Sequence, residues 1–370
     1  MNLRRYSGRI IEMDFYVNRL YSHFNLFFFH KNRIAFGQNT QNPFNLLIQI
    51  KNITKSFGQK KVLDHISGTV KQGALISLVG MSGSGKTTLL KIIAGLIESD
   101  TGSIYLNNKK LQGPKEQLIA GHEEIKLVFQ DYALKPNMSV EENLNYALLG
   151  YGEIYKKNRV EQLIEICGLE SLRPQHPQEL SGGQKQRVAF ARALANEPEV
   201  ILMDEPFSNL DPLTKQSLLI ETKSLAKKTD TTVILVTHDT RDAMEIADEI
   251  WVLQKGTIAQ KGKPHEVYQH PKSPQIARLF GIINLLSESQ SHELLNVNYS
   301  TGIWIENVKI APKGMIKGYV KEVIFNGGNH KLLISIHQDL ELMAFDDIKA
   351  YRTGDSIQLT LDPKEIIIFE

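Results

Sequence analysis

The chain has 370 residues, of which 42% are apolar and 23% charged, so its composition is that of an ordinary globular protein with room for two domains. Its 43 basic and 41 acidic residues give a net charge of +2. A nearly neutral chain argues against a dedicated nucleic-acid-binding protein, which concentrates basic residues on one face. Cys167 is the single cysteine, which excludes an internal disulfide and a cysteine-rich zinc site.

The first 45 residues show no clean helical or strand periodicity and carry six basic residues against two acidic ones. We interpret them as a flexible extension, or as a segment translated from an upstream start that the cell does not use. The alternative is a basic, aromatic anchor on a membrane surface. The apolar run Phe24–Phe29 is too short to span a bilayer and makes a poor signal peptide. We therefore expect membrane association to come through a partner.

From Leu47 onward, short apolar runs alternate with helical patterns, which is typical of a parallel α/β sheet. Ligands of such sheets bind beyond the carboxyl ends of the strands, so we expect the chemistry at that edge. The predicted elements are strands over 48–53, 74–79, 199–204 and 232–237 and a helix over 87–97.

A phosphate-binding motif lies between the predicted strand 74–79 and the helix that follows it. Residues 80–87, GMSGSGKT, fit the pattern G-x-x-x-x-G-K-[ST]. In this motif backbone N–H groups surround the phosphates, the lysine reaches the outer phosphates and the hydroxyl binds Mg²⁺. The predicted nucleotide-binding residues here are Gly80, Ser82, Gly83, Ser84, Gly85, Lys86, Thr87 and Thr88.

A second anion-binding sequence, LSGGQ at residues 180–184, opens a predicted helix. Its backbone N–H groups and positive helix end can face a phosphate. The preceding segment, from about 137 to 180, is predicted to be mainly helical. Ser139 and Glu142 form a candidate capping box within it, in which each side chain binds a backbone N–H at the helix start.

After Gly281 the pattern changes to short β runs. Residues 318–325 and 331–336 flank a glycine-containing turn at 326–329 and predict a hairpin. Residues 356–369 are expected to form closing strands.

Together, the two phosphate-binding sequences resemble those of the nucleotide-binding subunit of an ATP-binding-cassette (ABC) transporter, most closely the importer branch. The resemblance is dense over about 48–281 and loose over 282–370. It implies an α/β P-loop NTPase fold, with an ABC ATPase core over 46–281 that includes a helical subdomain at about 132–180. A small β-rich domain over 282–370, OB-like and resembling the TOBE domain of importers, would follow.

The resemblance also assigns catalytic and metal-binding roles. Glu205 would polarise the attacking water and His238 would contact the γ-phosphate. Gln130 would be the glutamine that senses the nucleotide, because its amide can accept from metal-bound water and donate to the phosphate. The Mg²⁺ ligands would be Thr87, Gln130 and Asp204.

Further residues would hold ATP itself. Phe57 would stack on the adenine ring, and Asp211 would belong to the loop that follows the catalytic glutamate. The LSGGQ sequence of one subunit would cap ATP held on the P-loop of its partner, which implies a dimer. Its contributing residues would be Ser181, Gly182, Gly183 and Gln184.

The function implied is hydrolysis of ATP with Mg²⁺ to drive import through separate transmembrane permease subunits. The chain would be peripheral on the cytoplasmic face of the cell membrane, with a substrate-binding protein in the same system and no nucleic-acid partner. Residues 262–284 resemble those of importers for ferric iron, polyamines, sulfate or molybdate, and they do not indicate which of these substrates is carried.

Two alternatives remain at this point. One is a soluble ABC ATPase acting on nucleic acid or ribosomes, although such proteins usually carry a long coiled-coil insertion or two cassettes. The other is an ATPase switch regulated through its C-terminal domain.

Overall fold

Four β-sheets and nine α-helices make up the part of the chain that the structure, a computed structural model, describes: residues 46–117, 120–129, 131–208, 210–337 and 339–369. The predictions for residues 1–45 and for Gln130 lie outside these ranges. The strands are β1 Leu46–Phe57, β2 Lys60–Lys71, β3 Leu75–Val79, β4 Thr101–Leu106, β5 Lys109–Lys110, β6 Ile125–Val128, β7 Val200–Asp204, β8 Thr232–Val236, β9 Glu249–Gln254, β10 Thr257–Gly262, β11 Ile283–Leu286, β12 Ser300–Trp304, β13 Val308–Ile310, β14 Ile316–Asn326, β15 Asn329–His337, β16 Leu340–Asp346, β17 Ser356–Leu361 and β18 Ile367–Phe369. The helices are α1 Lys86–Ile93, α2 Val140–Ala147, α3 Glu153–Cys167, α4 Gly182–Leu194, α5 Pro212–Lys228, α6 Thr240–Ile246, α7 Pro264–Gln269, α8 Pro274–Phe280 and α9 Glu288–Leu295.

The central sheet has six strands in the order β10-β9-β3-β8-β7-β6. All but β10 are parallel to their neighbours, and β3, β7 and β8 are almost entirely buried. This burial on both faces explains their continuous apolar sequences. Because β3, β8, β7 and β6 are consecutive neighbours, the loops after them lie along one edge of the sheet.

An antiparallel sheet, β2-β1-β4-β5, packs with α1 against one side of the central sheet. Trp251 of β9 is fully buried in this layer. Its indole lies against Gly68 of β2, where a Cβ atom would come within 2.4 Å of the ring. A glycine at this position therefore lets the two sheets approach each other.

The helix that follows the P-loop ends earlier than predicted, at Ile93 instead of Ile97. The chain turns at Gly95, which has a left-handed φ of 71°. A Cβ atom there would also lie 2.5 Å from the ring of His122. Glycine adopts this conformation without steric cost, and it ends the helix here.

On the other side of the central sheet, α2, α3 and α4 share a core with α5 and the sheet. The predicted capping box at the start of α2 is confirmed, since Ser139 and Glu142 each bind the other's backbone N–H. Fully buried Asn143 accepts from Lys135 N and donates to the carbonyls of Lys135, Met138 and Ser139. None of the described helices is long and apolar enough to cross a bilayer.

The C-terminal strands form a three-stranded sheet, β11-β12-β18, and a five-stranded sheet, β13-β17-β14-β15-β16. The predicted hairpin is confirmed as β14 and β15. Edge strands β13 and β16 lie side by side, so the larger sheet curls into a barrel-like form around its own core. The side chain of Asn284 binds both N and O of Met343 and so occupies part of the β16 edge. The domain limits themselves stay a prediction.

Cys167 at the end of α3 is expected to resist alkylation in the folded protein. Its side chain is buried, and burial raises the pKa of the thiol to about 12. Because the thiolate is the reactive form, both effects slow the reaction. Iodoacetamide labelling followed by mass spectrometry at pH 8 should proceed at the rate of local unfolding, whereas the protein in denaturant should label quickly. Fast labelling of the native chain would contradict this packing.

Candidate functional site

The P-loop after β3 is shaped by glycines and closes onto its own lysine. Gly80 has φ 149°, and a Cβ atom there would lie 2.2 Å from the carbonyl oxygen of Leu253. The Lys86 ammonium donates to the backbone oxygens of Gly80 at 2.9 Å and Met81 at 3.1 Å. Burial lowers the pKa of Lys86, while Glu205 and Asp204 act to raise it. The loop thus forms a compact turn with an ammonium inside.

The same loop leaves polar groups suited to phosphate. The Ser84 hydroxyl is buried and has no hydrogen-bond partner among the described residues. A buried hydroxyl without a partner is costly, and a phosphate oxygen would satisfy it. Of the remaining predicted P-loop residues, Ser82 and Gly83 are exposed, Thr88 is half-buried and Gly85 is buried.

A hydroxyl and a carboxylate meet at the start of α1. Thr87 Oγ1 donates to Asp204 Oδ1 at 3.0 Å, joining the P-loop helix to the end of β7. Burial raises the pKa of Asp204, and the Thr87 hydrogen bond acts in the opposite direction. Oxygen ligands of these two kinds fit Mg²⁺, which prefers a few protein oxygens together with substrate phosphates. Thr87 and Asp204 are therefore the described residues that would hold the ion.

Glu205 and His238 face each other across neighbouring strands. His238 Nδ1 lies 3.2 Å from Glu205 Oε2, and the imidazole is 61% exposed. An ionised carboxylate only accepts hydrogen bonds, so Nδ1 is expected to be the donor. Glu205 has a left-handed φ of 49°. Such backbone strain in a non-glycine residue costs about 1–3 kcal/mol and concentrates at functional sites.

Phe57 ends β1 with its ring 51% exposed. The β1–β2 hairpin lies beside the P-loop, because Val62 O would be 2.8 Å from a Cβ atom at Gly85. The Lys55 ammonium is 5.4 Å from the centroid of the Phe57 ring. The ring therefore has an open surface that suits stacking on a base.

The LSGGQ sequence forms the start of α4. Ser181 is the N-cap of the helix: its hydroxyl accepts from Gln184 N at 3.3 Å, and Gln184 Oε1 accepts from Ser181 N at 2.8 Å. Ser181 is exposed, whereas Gly183 is buried against Leu218 of α5. Among the described residues, no hydrogen bond joins LSGGQ to residues 80–88. The two phosphate-binding sequences therefore lie at the starts of two separate helices, α1 and α4.

Asp211 caps α5 by accepting from Thr214 N at 3.0 Å. Hydrogen bonds from Thr214 lower the pKa of Asp211. Asp211 thus makes the hydrogen bond of a helix cap, and its role in nucleotide binding stays a prediction.

Hydrogen bonds connect the segment after Gln130 to helix α4, which LSGGQ opens, and to the loop that follows Glu205. Sequence patterns do not predict these contacts. Tyr132 and Ala133 have left-handed φ values of 60° and 45°. Arg192 of α4 donates to the carbonyls of both, at 3.0 and 2.6 Å. The Tyr132 hydroxyl donates to Pro206 O at 3.2 Å, next to Glu205. These bonds connect distant parts of the sequence, so no local motif predicts them.

Comparison with known proteins assigns the chain to a family. Residues 63–208 match the ABC transporter family. The sulfate/thiosulfate import ATP-binding protein CysA of Mesostigma viride is 44% identical over 65% of this chain and 68% of its own. The spermidine/putrescine import ATP-binding protein PotA of Clostridium novyi is 32% identical over 88% of this chain and 98% of its own.

A comparison with solved structures supports the same family. The dimeric post-hydrolysis structure of an ATP-binding cassette bound to ADP and Pi superposes with a TM-score of 0.50 and 31% identity, over 59% of this chain and 99% of that one. The predicted α/β ABC ATPase fold is thereby confirmed. Import ATP-binding proteins among the relatives also favour the transport function over a soluble ABC ATPase of nucleic acid or ribosomes. This chain belongs to the ATP-binding proteins of ABC transporters.

Proposed function

We propose that two copies of this chain bind two molecules of ATP with Mg²⁺, hydrolyse them and thereby drive import through separate permease subunits. The observation that supports this most is the meeting of Thr87, Asp204, Glu205 and His238 at the carboxyl ends of neighbouring strands. Phosphoryl transfer requires little covalent work from a protein, so positioning and charge stabilisation are the main tasks of such a site.

Each side chain has a defined part in the proposed reaction. P-loop N–H groups and Lys86 hold the β- and γ-phosphates, and bound Mg²⁺ would neutralise the charge that develops on them. Glu205 accepts a proton from the attacking water, and His238 next to it faces the γ-phosphate. Gln130, two positions after the end of β6 in the sequence, is proposed to monitor the nucleotide.

The proposed dimer follows from the separation of the two motifs. Ser181, Gly182 and Gly183 form the start of α4, and among the described residues this helix start makes no hydrogen bond to the P-loop of the same chain. ATP on one P-loop would be completed by these groups from the second copy. One chain then contributes two half-sites, and hydrolysis requires both copies.

A surface near the loop after β6 supports the permease as a partner. Exposed apolar side chains surround the turn between α2 and α3, with Leu149 64% and Ile154 82% exposed. Tyr146 and Tyr151 are exposed beside them. Apolar groups this accessible commonly mark protein–protein contact sites. We propose that a cytoplasmic loop of the permease binds here, which would make the chain a peripheral subunit on the cytoplasmic face.

The cargo is proposed only as a class. The two relatives named above are called importers of sulfate/thiosulfate and of spermidine/putrescine. A small polar solute is the class common to both names, and we propose that a substrate-binding protein delivers it.

The test is phosphate release by the purified full-length chain with MgATP, with EDTA and with Lys86→Ala. We expect hydrolysis that requires Mg²⁺ and is lost in the variant, because the ammonium inside the P-loop no longer meets the phosphates. Hydrolysis that persists in Lys86→Ala would refute the assigned site. Co-purification with a permease from the native membrane would test the partner, and Leu149→Glu should weaken that association without changing phosphate release.

A further inference from the structure

Lys215 lies near the N-terminus of a helix, the end at which a positive charge is unfavourable. It lies in the first turn of α5, where the helix dipole is positive and Asp211 is the N-cap. Its ammonium contacts two carboxylates of another segment, Asp239 Oδ2 at 2.6 Å and Asp242 Oδ1 at 2.8 Å. This ion-pair cluster accounts for a lysine in an otherwise unfavourable place.

The three side chains of this ion-pair cluster are shielded from solvent to different degrees. The Asp242 side chain is 6% exposed, and those of Lys215 and Asp239 are 23% and 33% exposed. Burial raises the pKa of Asp242, and the hydrogen bond from Lys215 opposes that effect. A carboxylate this buried is costly without a charged partner. Removal of the lysine would therefore disturb both acids.

One of these acids directly follows the histidine of the site. Asp239 Oδ1 accepts from Arg241 N at 2.9 Å, and its other oxygen receives the Lys215 ammonium. Asp239 N in turn donates to Thr237 Oγ1 at 3.0 Å. His238 itself is largely exposed, so packing does not hold its ring in place. Its direction depends on the backbone that Asp239 anchors.

These contacts, together with the chain between them, form a closed connection that includes Glu205 and His238. Glu205 and Asp211 belong to one loop, Asp211 starts α5, and Lys215 in that helix binds Asp239. Asp239 is preceded in the chain by His238, whose Nδ1 lies 3.2 Å from Glu205 Oε2. The loop after the catalytic glutamate is thus connected to the histidine loop by one ammonium group.

We propose that Lys215 is a positioning residue for ATP hydrolysis, which ties the start of α5 to the loop that aims His238 at Glu205. The inference rests on the proposed ATPase function. Among the residues that the structure describes, no hydrogen bond or ion pair joins Lys215 to the P-loop, so its loss should misalign the hydrolytic pair and leave nucleotide binding intact. Small misplacements of such groups cost far more in turnover than in binding.

The experiment is a steady-state comparison of kcat and KM for MgATP in the full-length chain. Lys215→Met, which keeps the aliphatic length, should lower kcat about tenfold or more with KM changed less than about twofold. Lys215→Arg should restore at least half of the wild-type kcat, because arginine also pairs with two carboxylates. Lys227→Met, an exposed lysine near the other end of α5, should match the wild type.

Three results would overturn the proposal: a wild-type kcat in Lys215→Met, a rise in KM without a fall in kcat, or a failure of arginine to rescue. Binding of a fluorescent ATP analogue shows whether each variant is folded. If Lys215→Met does not fold, Asp239→Asn replaces it, with the same kcat and KM criteria. Failure of the proposed function is separate, since the wild type would then lack ATPase activity.

Discussion

Glu205→Gln is expected to abolish ATP turnover while leaving ATP binding and ATP-dependent dimerisation in place. The amide is nearly isosteric, but it does not accept a proton from water. Loss of a general base lowers turnover by about two to four orders of magnitude. Lys86, Thr87 and Asp204 keep their contacts, so the phosphates and the metal still bind. Phosphate release and size-exclusion chromatography with ATP would measure the two effects.

Glu170→Gln serves as the matched control, because Glu170 is an exposed carboxylate in the short helical turn Glu170–Leu172 that follows α3. It should behave as the wild type in both measurements. Turnover near the wild-type level in Glu205→Gln would show that another group activates the water. Loss of nucleotide binding would instead show that Glu205 supports the fold of the site.

Ser181→Arg is expected to prevent dimer closure without preventing ATP binding. Arginine at the N-cap of α4 adds bulk and charge where the proposed dimer holds a phosphate against the helix start. Hydrolysis should fall by about two orders of magnitude, the size of effect seen when a donor to the reacting group is lost. ATP still binds, because the P-loop is a separate element. Filter binding of labelled ATP and light scattering would distinguish the two.

The substitution also removes a helix cap, so a second variant isolates that effect. Ser181→Ala loses the hydroxyl that accepts from Gln184 N, which costs about 1 kcal/mol of stability. It adds no bulk and should still form the ATP-dependent dimer. If Ser181→Arg lost ATP binding itself, the two half-sites would not be separate and the dimer proposal would fail.

The class of reaction was predictable because short motifs indicate it. A glycine-rich loop with Lys86 and Thr87 has a local geometry that its own residues dictate. The capping box and the β14–β15 hairpin were predictable for a similar reason: Ser139 and Glu142 are three residues apart, and the hairpin turns between Asn326 and Asn329, which are also three residues apart.

The early end of α1 shows the limit of local patterns. Apolar periodicity continues to Ile97, yet Gly95 turns the chain beside the His122 ring. The partner that makes this turn tight is 27 positions away, and no periodicity encodes it. Helix ends of this kind depend on tertiary packing as well as on propensity.

The amino-acid sequence was sufficient for the class of reaction and the parallel α/β pattern, and it predicted residues for phosphate binding. Tertiary structure alone decided that His238 faces Glu205, that Arg192 holds the strained turn at Tyr132, and that Lys215 binds Asp239. Each of these depends on the order of strands in the central sheet and on which helix packs over them. Strand order arises from pairings between distant segments, whereas motifs and periodicities report only on neighbours along the chain.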